Sequence, residues 1–163
     1  GLHGSGKNEL AYSLEKELFD MGKTVVVLDG KSVRAGLSRE LDYSPADRAE
    51  HLRRVAHLCN LLNQQGIVVI CSFISPDESI REQIKEIVGE DRFKLVYLDA
   101  DMDYCRKNDN YDNYGIYEQA DKGELHNIAG IDLSFDTPQN PDLVLKAGIK
   151  DKNTEILLDL VNI

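Results

Sequence analysis

Gly1-Leu2-His3-Gly4-Ser5-Gly6-Lys7-Asn8 opens the chain and fits the phosphate-cradling pattern G-x-x-x-x-G-K-[ST] at every position but the last. Glycines let the backbone wrap and turn several N–H groups toward phosphate oxygens. Lys7 adds a point charge for the terminal phosphates, and the helix that starts here presents its positive end to the same anion. The eighth position, where a Ser or Thr hydroxyl would ligate Mg²⁺, is Asn8. Its amide oxygen is the one candidate metal ligand from this loop. The sequence therefore points strongly to nucleotide phosphate and less strongly to catalysis. Gly4, Ser5, Gly6, Lys7 and Asn8 are the candidate ATP-binding residues, with Lys7 also a candidate catalytic group.

Downstream, helical and strand signals alternate. Leu10, Leu14, Leu18 and Met21 give residues 6–21 a helical face that Gly22 ends. Thr24–Leu28 is a short β-branched run of the kind found in strands buried on both faces, and it ends at Asp29-Gly30. Ligand-contacting residues collect just past strand ends in open parallel sheets, which makes Asp29 a second catalytic candidate. Residues 31–37 read as a short helix carrying Arg34, and Tyr43 sits in the following loop. Ser44-Pro45 starts a helix over 45–65 with Ser as cap, and Arg48 lies near its first turn. Strands follow at 67–71 and 93–99 around a helix at 77–88. Helices are expected at 100–107, 115–121 and 153–162, and a last strand at 143–145. The Asn/Asp-rich residues 107–113 read as a mobile surface loop. This alternation predicts a three-layer α/β fold, a parallel sheet flanked by helices, with its first strand expected upstream of Gly1. The 163 residues suffice for one domain, expected to belong to a longer chain.

The formal charge of −10 opposes a nucleic-acid or anionic-membrane partner, since both need a cationic face. No apolar run is long enough to span a membrane. Cys59, Cys71 and Cys105 have neither paired nor metal-type spacing. Cys59 and Cys71 are expected as buried reduced thiols, which suits a reducing cytoplasm.

Several segments together resemble the adenylylsulfate kinase (APS kinase) family: Gly1–Lys7, Leu28–Leu37, Ser44–Val55, Phe73-Ile74-Ser75-Pro76, Gly115-Ile116-Tyr117, Gly123-Glu124-Leu125, Gly130-Ile131-Asp132 and Thr137-Pro138. The resemblance implies a P-loop kinase that uses MgATP to phosphorylate the ribose 3′-hydroxyl of adenosine 5′-phosphosulfate (APS), giving PAPS in sulfate assimilation. It places the substrate-binding arginines on Arg34 and Arg48, and the aromatic that stacks on the APS adenine on Tyr43. Phe73, Ile74 and Ser75 would line the same pocket, and Leu125, Gly130 and Ile131 would lie in the stretch closing over it. His51 stands where the family has Asn. The resemblance also implies a homodimer or a fusion to ATP sulfurylase.

The departures from the family pattern cluster on catalysis. Asn8 replaces the metal ligand, Lys31 replaces a carboxylate, and Tyr114–Gln119 lacks three cations of the family segment. Phosphoryl transfer rests on neutralising charge around the moving group, so these changes weaken it at separate points. Three readings stay open: a working APS kinase, a binding domain for APS, PAPS or nucleotide with weak or no turnover, and a kinase for another nucleotide-like substrate.

Overall fold

The computed structural model describes residues 1–109 and 115–161. Helix α1 (Lys7–Asp20) turns Leu10, Ala11, Leu14 and Leu18 inward. Gly22, at φ 79°, then reverses the chain into β1 (Val25–Asp29). Short α2 (Gly30–Ala35) follows at once. Helix α3 (Pro45–Gln64) starts as the Ser-Pro signal predicts, with the Ser44 hydroxyl accepting from the Asp47 N–H. Strand β2 (Val68–Ser72) and helix α4 (Glu78–Val88) come next, the latter capped by Asp77. The remaining elements are β3 (Val96–Asp99), α5 (Met102–Asp109), α6 (Ile116–Asp121), β4 (Leu143–Lys146) and α7 (Lys150–Leu160).

All described strand pairs are parallel. β1 runs beside β2 from Val25↔Val68 to Asp29↔Ser72, and β3 beside β4 from Val96↔Leu143 to Asp99↔Lys146. The expected single sheet is divided, among the described residues, into these two pairs. The glycine-rich loop stands between them. A Cβ on Gly1 would lie 2.5 Å from the Leu98 carbonyl oxygen near the end of β3, while Asn8 is bonded to Ser72 at the end of β2.

Two apolar layers hold the strands. On one face Leu10, Leu14 and Leu18 of α1 meet Leu98, Leu145 and Leu157, with Val25, Ile70 and Val96 against them. On the other, Val33, Val55, Ala56, Cys59 and Val88 enclose Leu28, Val69 and Phe73. Each fully buried leucine contributes roughly 1.5–3 kcal/mol. Helices on both faces of parallel strands make the α/β, three-layer arrangement that the alternating pattern predicts.

Some boundaries differ from the sequence reading. The third strand begins at Val96, because the Leu95 N–H is bonded to the Asp142 side chain. Asn108 and Asp109, expected in a loop, complete α5 and are held there by long-range contacts with Gly4 and His3. The rest of that expected loop, 110–113, and Tyr114 lie outside the described residues. Cys71, expected to be buried, is exposed, since alternation along a strand fixes the face of a side chain but not the cover over it. Among the described residues no helix is long and apolar enough to cross a membrane.

Candidate functional site

The loop 1–8 owes its shape to two left-handed glycines, Gly4 at φ 74° and Gly6 at φ 89°. At Gly4 a side chain is excluded twice, since a Cβ would also meet the Cys105 carbonyl oxygen at 2.2 Å. Gly6 is the N-cap of α1 and brings no side-chain cap, so the first N–H groups of the helix stay available to an anion. Lys7 Nζ donates to the Leu2 carbonyl at 2.7 Å, folding back over the loop. Burial pushes its ammonium down to about 8. A bound phosphate would restore the charged form, because an adjacent anion favours it.

A brace from α5 and α6 holds this loop from outside. Asp109, 1 % exposed, accepts from His3 Nε2 at 2.8 Å and from the Tyr117 N–H at 2.9 Å. The Tyr117 hydroxyl donates to the His3 carbonyl at 2.8 Å, and Asn108 Nδ2 to the Gly4 carbonyl at 3.1 Å. Burial, with Cys105 and Asp109 alongside, drives the Tyr117 phenol far above its ordinary value, so it stays a donor. The sequence reading gives none of these residues a bracing role. Their partners lie about a hundred positions away, and no local pattern marks them.

Asp29 and Asn8, the candidate catalytic and metal-binding residues of the sequence, are both engaged. Asp29 Oδ1 accepts from the Lys31 and Ser32 N–H groups, each at 2.9 Å, and Oδ2 from the Ser32 hydroxyl at 2.6 Å and the Tyr12 hydroxyl at 3.1 Å. Burial pushes this carboxyl up, but hydrogen bonds from Ser32, Tyr12 and Lys31 outweigh it and hold the pKa below the usual carboxylate value. Asp29 thus caps α2, and accepting a proton from a substrate would require one of its donors to leave. Asn8 Oδ1 accepts from the Ser72 hydroxyl at 2.5 Å. Lys31 is exposed.

From Ser72 the chain of contacts runs into the second half of the site. Phe73 meets the His51 ring edge-on at 5.4 Å, and its ring lies 3.7 Å from where a Cβ on Gly30 would be. His51 is 3 % exposed and neither ring nitrogen has a hydrogen-bond partner. Burial first, then the charges of Arg34, Arg48 and Arg54, lower its pKa to about 4, so the ring is neutral at physiological pH. The Arg34 guanidinium lies 4.4 Å from the Tyr43 ring centroid and that of Arg48 5.7 Å. Arg34 donates to the Leu41 and Asp42 carbonyls, and Arg48 to the Asn127 carbonyl at 2.8 Å. Arg48 Nε is buried without a partner, and burial together with Arg34 lowers the Arg48 pKa. Two guanidinium groups converge on one aromatic face with their hydrogen bonds spent on neutral carbonyls. That leaves positive charge for an anionic ligand.

The other expected pocket residues are placed as follows. Ser75 takes a left-handed φ of 45°, and its carbonyl accepts from Arg81, which also reaches Glu78 and the Asp136 carbonyl. Arg81 is 3 % exposed and was absent from the sequence reading. Ile74 is half-buried beside it. Gly130 packs on the loop itself, since a Cβ there would lie 2.8 Å from Met102 and 3.2 Å from Leu2. Leu125 is half-buried with its N–H on Gln119, and Ile131 is exposed. A further cleft of about 110 Å³ opens beside the loop, lined by Ser5, Gly6, Tyr104, Gly148, Lys150 and Asn153. Of these, only Ser5 and Gly6 carry a motif signal.

The sequence profile described as Adenylylsulphate kinase matches residues 1–146. The chain belongs to the adenylylsulphate kinase family. It is 40 % identical over 163 residues to the adenylyl-sulfate kinase of Bacillus velezensis, covering 99 % of this chain and 81 % of that protein. Against the bifunctional enzyme CysN/CysC of Rhodopirellula baltica it is 43 % identical over 90 % of its length, but spans only 22 % of that protein. The Mycobacterium tuberculosis APS kinase CysC, solved in complex with AMPPNP and APS, superposes with a TM-score of 0.93 at 35 % identity. That match covers all of this chain and 94 % of the other. The family also accounts for the α/β P-loop fold. Within this adenylylsulphate kinase-family chain, Asn8, Ser72, Phe73 and His51 form a connected series, and the charge of Arg48, beside Tyr43, acts on His51.

Proposed function

We propose that this chain is an APS kinase: it binds ATP at Gly4–Asn8 and APS at the Arg34/Tyr43/Arg48/His51/Phe73 cluster, and transfers the ATP γ-phosphate to the ribose 3′-hydroxyl. The observation that carries this reading is the convergence of Arg34 and Arg48 on Tyr43, linked to the phosphate loop through His51, Phe73, Ser72 and Asn8. The loop's N–H groups and Lys7 grip the ATP phosphates. The guanidinium pair neutralises the phosphosulfate of APS, and the Tyr43 face supports its adenine. His51, neutral and unpaired, offers a donor and an acceptor to the same ligand.

Magnesium fits as a companion of ATP rather than as a resident of a protein cage. Among the described residues no group of three His, Cys, Asp or Glu side chains could hold a metal ion. Asn8 Oδ1 and Ser72 Oγ are hard oxygen donors at the end of the loop, and Mg²⁺ keeps mostly phosphate and water ligands in such sites. Bound with ATP, the ion would neutralise phosphate charge. Turning either oxygen toward it would break the Asn8–Ser72 hydrogen bond.

A second reading is favoured by that bond and by the saturated Asp29 carboxylate: a domain that holds APS or PAPS with slow turnover. ADP release on adding MgATP and APS separates the two. The first reading expects APS-dependent ADP and its abolition in Lys7→Ala. The second expects calorimetric binding of PAPS without ADP, and a rise in turnover on the double change Asn8→Ser with Lys31→Asp. No binding of ATP, APS or PAPS would sink both.

A further inference from the structure

Cys59, in the third quarter of α3, and Cys71, one residue before the end of β2, bring their Sγ atoms within 3.3 Å of each other. Both are free thiols, and Cys105 lies in α5, away from them against Gly4. We propose that Cys59 and Cys71 form a modification site, a dithiol that hydroperoxides oxidise to a disulfide joining α3 to β2.

The geometry suits this chemistry. The sulfurs are already in contact, and a disulfide of about 2.05 Å needs them to approach by only about 1.2 Å. Both side chains project into the layer between α3 and the strands, where Cys59 packs with Val69 and Phe73. Cys59 is buried while Cys71 is exposed, so a small oxidant has an approach from the Cys71 side. A hydrogen bond between the two thiols, in which either sulfur can donate, favours ionisation of the sulfur that accepts it. The thiolate is the reactive form.

The reaction balances. One thiolate of the pair attacks one oxygen of hydrogen peroxide, the O–O bond breaks, and hydroxide leaves to be protonated to water. The resulting sulfenic acid is attacked at sulfur by the other thiol. The S–S bond forms, the S–O bond breaks, and the proton of the second thiol leaves with the hydroxyl as a second water. Two thiols are oxidised by two electrons and one peroxide is reduced. The bond would tie the helix bearing Arg48 and His51 to the strand whose Ser72 holds Asn8.

The test uses the full chain without nucleotide, so it is independent of the kinase reading. The protein is treated with hydrogen peroxide, alkylated, and examined by intact mass and a non-reducing peptide map. The expected result is the loss of two hydrogen atoms, a cross-linked peptide pair holding Cys59 and Cys71, and full reversal by dithiothreitol. Cys59→Ser and Cys71→Ser should each remove the cross-link, and Cys105→Ser should keep it. The proposal is overturned by a cross-link to Cys105 or between molecules, or by sulfinic acid without a cross-link. It is equally overturned if both thiols stay reduced while a dithiol peptide in the same tube oxidises. Should a serine variant fail to fold, the wild-type map still decides, because it identifies the bonded partners.

Discussion

Acid should destabilise this protein in part through the His51 side chain. His51 has a pKa near 4 in the folded state and near 6.5 when exposed in the unfolded chain. Between those values the unfolded state binds more protons, so stability falls as pH drops through 6.5 and the loss is complete near pH 4. The slope approaches about 1.4 kcal/mol per pH unit, which amounts to about 2 kcal/mol between pH 7.5 and pH 5. In a chain of this size that is a fall in Tm of about 4–8 °C. Carboxylates held low by their partners, Asp29 and Glu50 among them, act on the same side but chiefly below pH 4.5, outside this window. Calorimetric melts of the wild type and of His51→Asn at pH 7.5, 6 and 5 provide the assay. The variant should lose about 2 kcal/mol of the wild-type change between pH 7.5 and pH 5, whatever its absolute stability, because Asn does not titrate. A wild-type slope that survives the substitution would refute the assignment of this proton to His51. An anion bound by Arg34 and Arg48 should raise the His51 pKa, so inorganic sulfate should shallow the wild-type slope and leave the variant unchanged.

Three further outcomes follow from the packing. Gly4→Ala combines a left-handed backbone with a Cβ 2.2 Å from the Cys105 carbonyl oxygen and should cost about 3 kcal/mol. Gly6→Ala, with open space around its Cβ, should cost about 1 kcal/mol, and equal losses in urea melts would count against the contact with α5. Arg81→Met strands the Ser75 and Asp136 carbonyls and the Glu78 carboxylate, with an expected loss of about 3–5 kcal/mol. A loss under about 1 kcal/mol would mean that Arg81 does not pin the Phe73–Pro76 turn. Asp109→Ala leaves the Tyr117 N–H and His3 without their acceptor, costing about 1–3 kcal/mol. It should also weaken ATP binding in calorimetry, and unchanged affinity would show that the brace does not shape the loop.

What the sequence discloses is what repeats or is spaced locally. The glycine loop, the β-branched runs and the Ser-Pro helix start each encode their element within a few residues, and the layers follow from their alternation. Arg34 and Tyr43 are legible only through family resemblance, whereas the place of Arg48, in a first helical turn near the ligand edge of the sheet, already sets it apart from an ordinary surface cation. Asp29 exposes a real ambiguity. Carboxylates gather at strand ends both to meet ligands and to cap the next helix. Only the coordinates reveal that Lys31, Ser32 and Tyr12 claim both of its oxygens. The substitution of the family's second Asp by Lys31 gains its meaning there, because the neighbouring carboxylate cannot readily take over a proton-accepting role while it holds α2 in place. His51 carries the same lesson with opposite sign. Helical spacing leaves it on an ordinary arginine-rich face, yet it is buried against Phe73 with both nitrogens unpaired. A buried neutral donor and acceptor without partners costs free energy, and a ligand that satisfies both recovers it on binding. If that ligand is the phosphosulfate nucleotide, replacing His51 should raise its Kd more than that of ATP. The glycine loop, the proposed ATP-phosphate site, reaches His51 only at second hand, through Ser72 and Phe73.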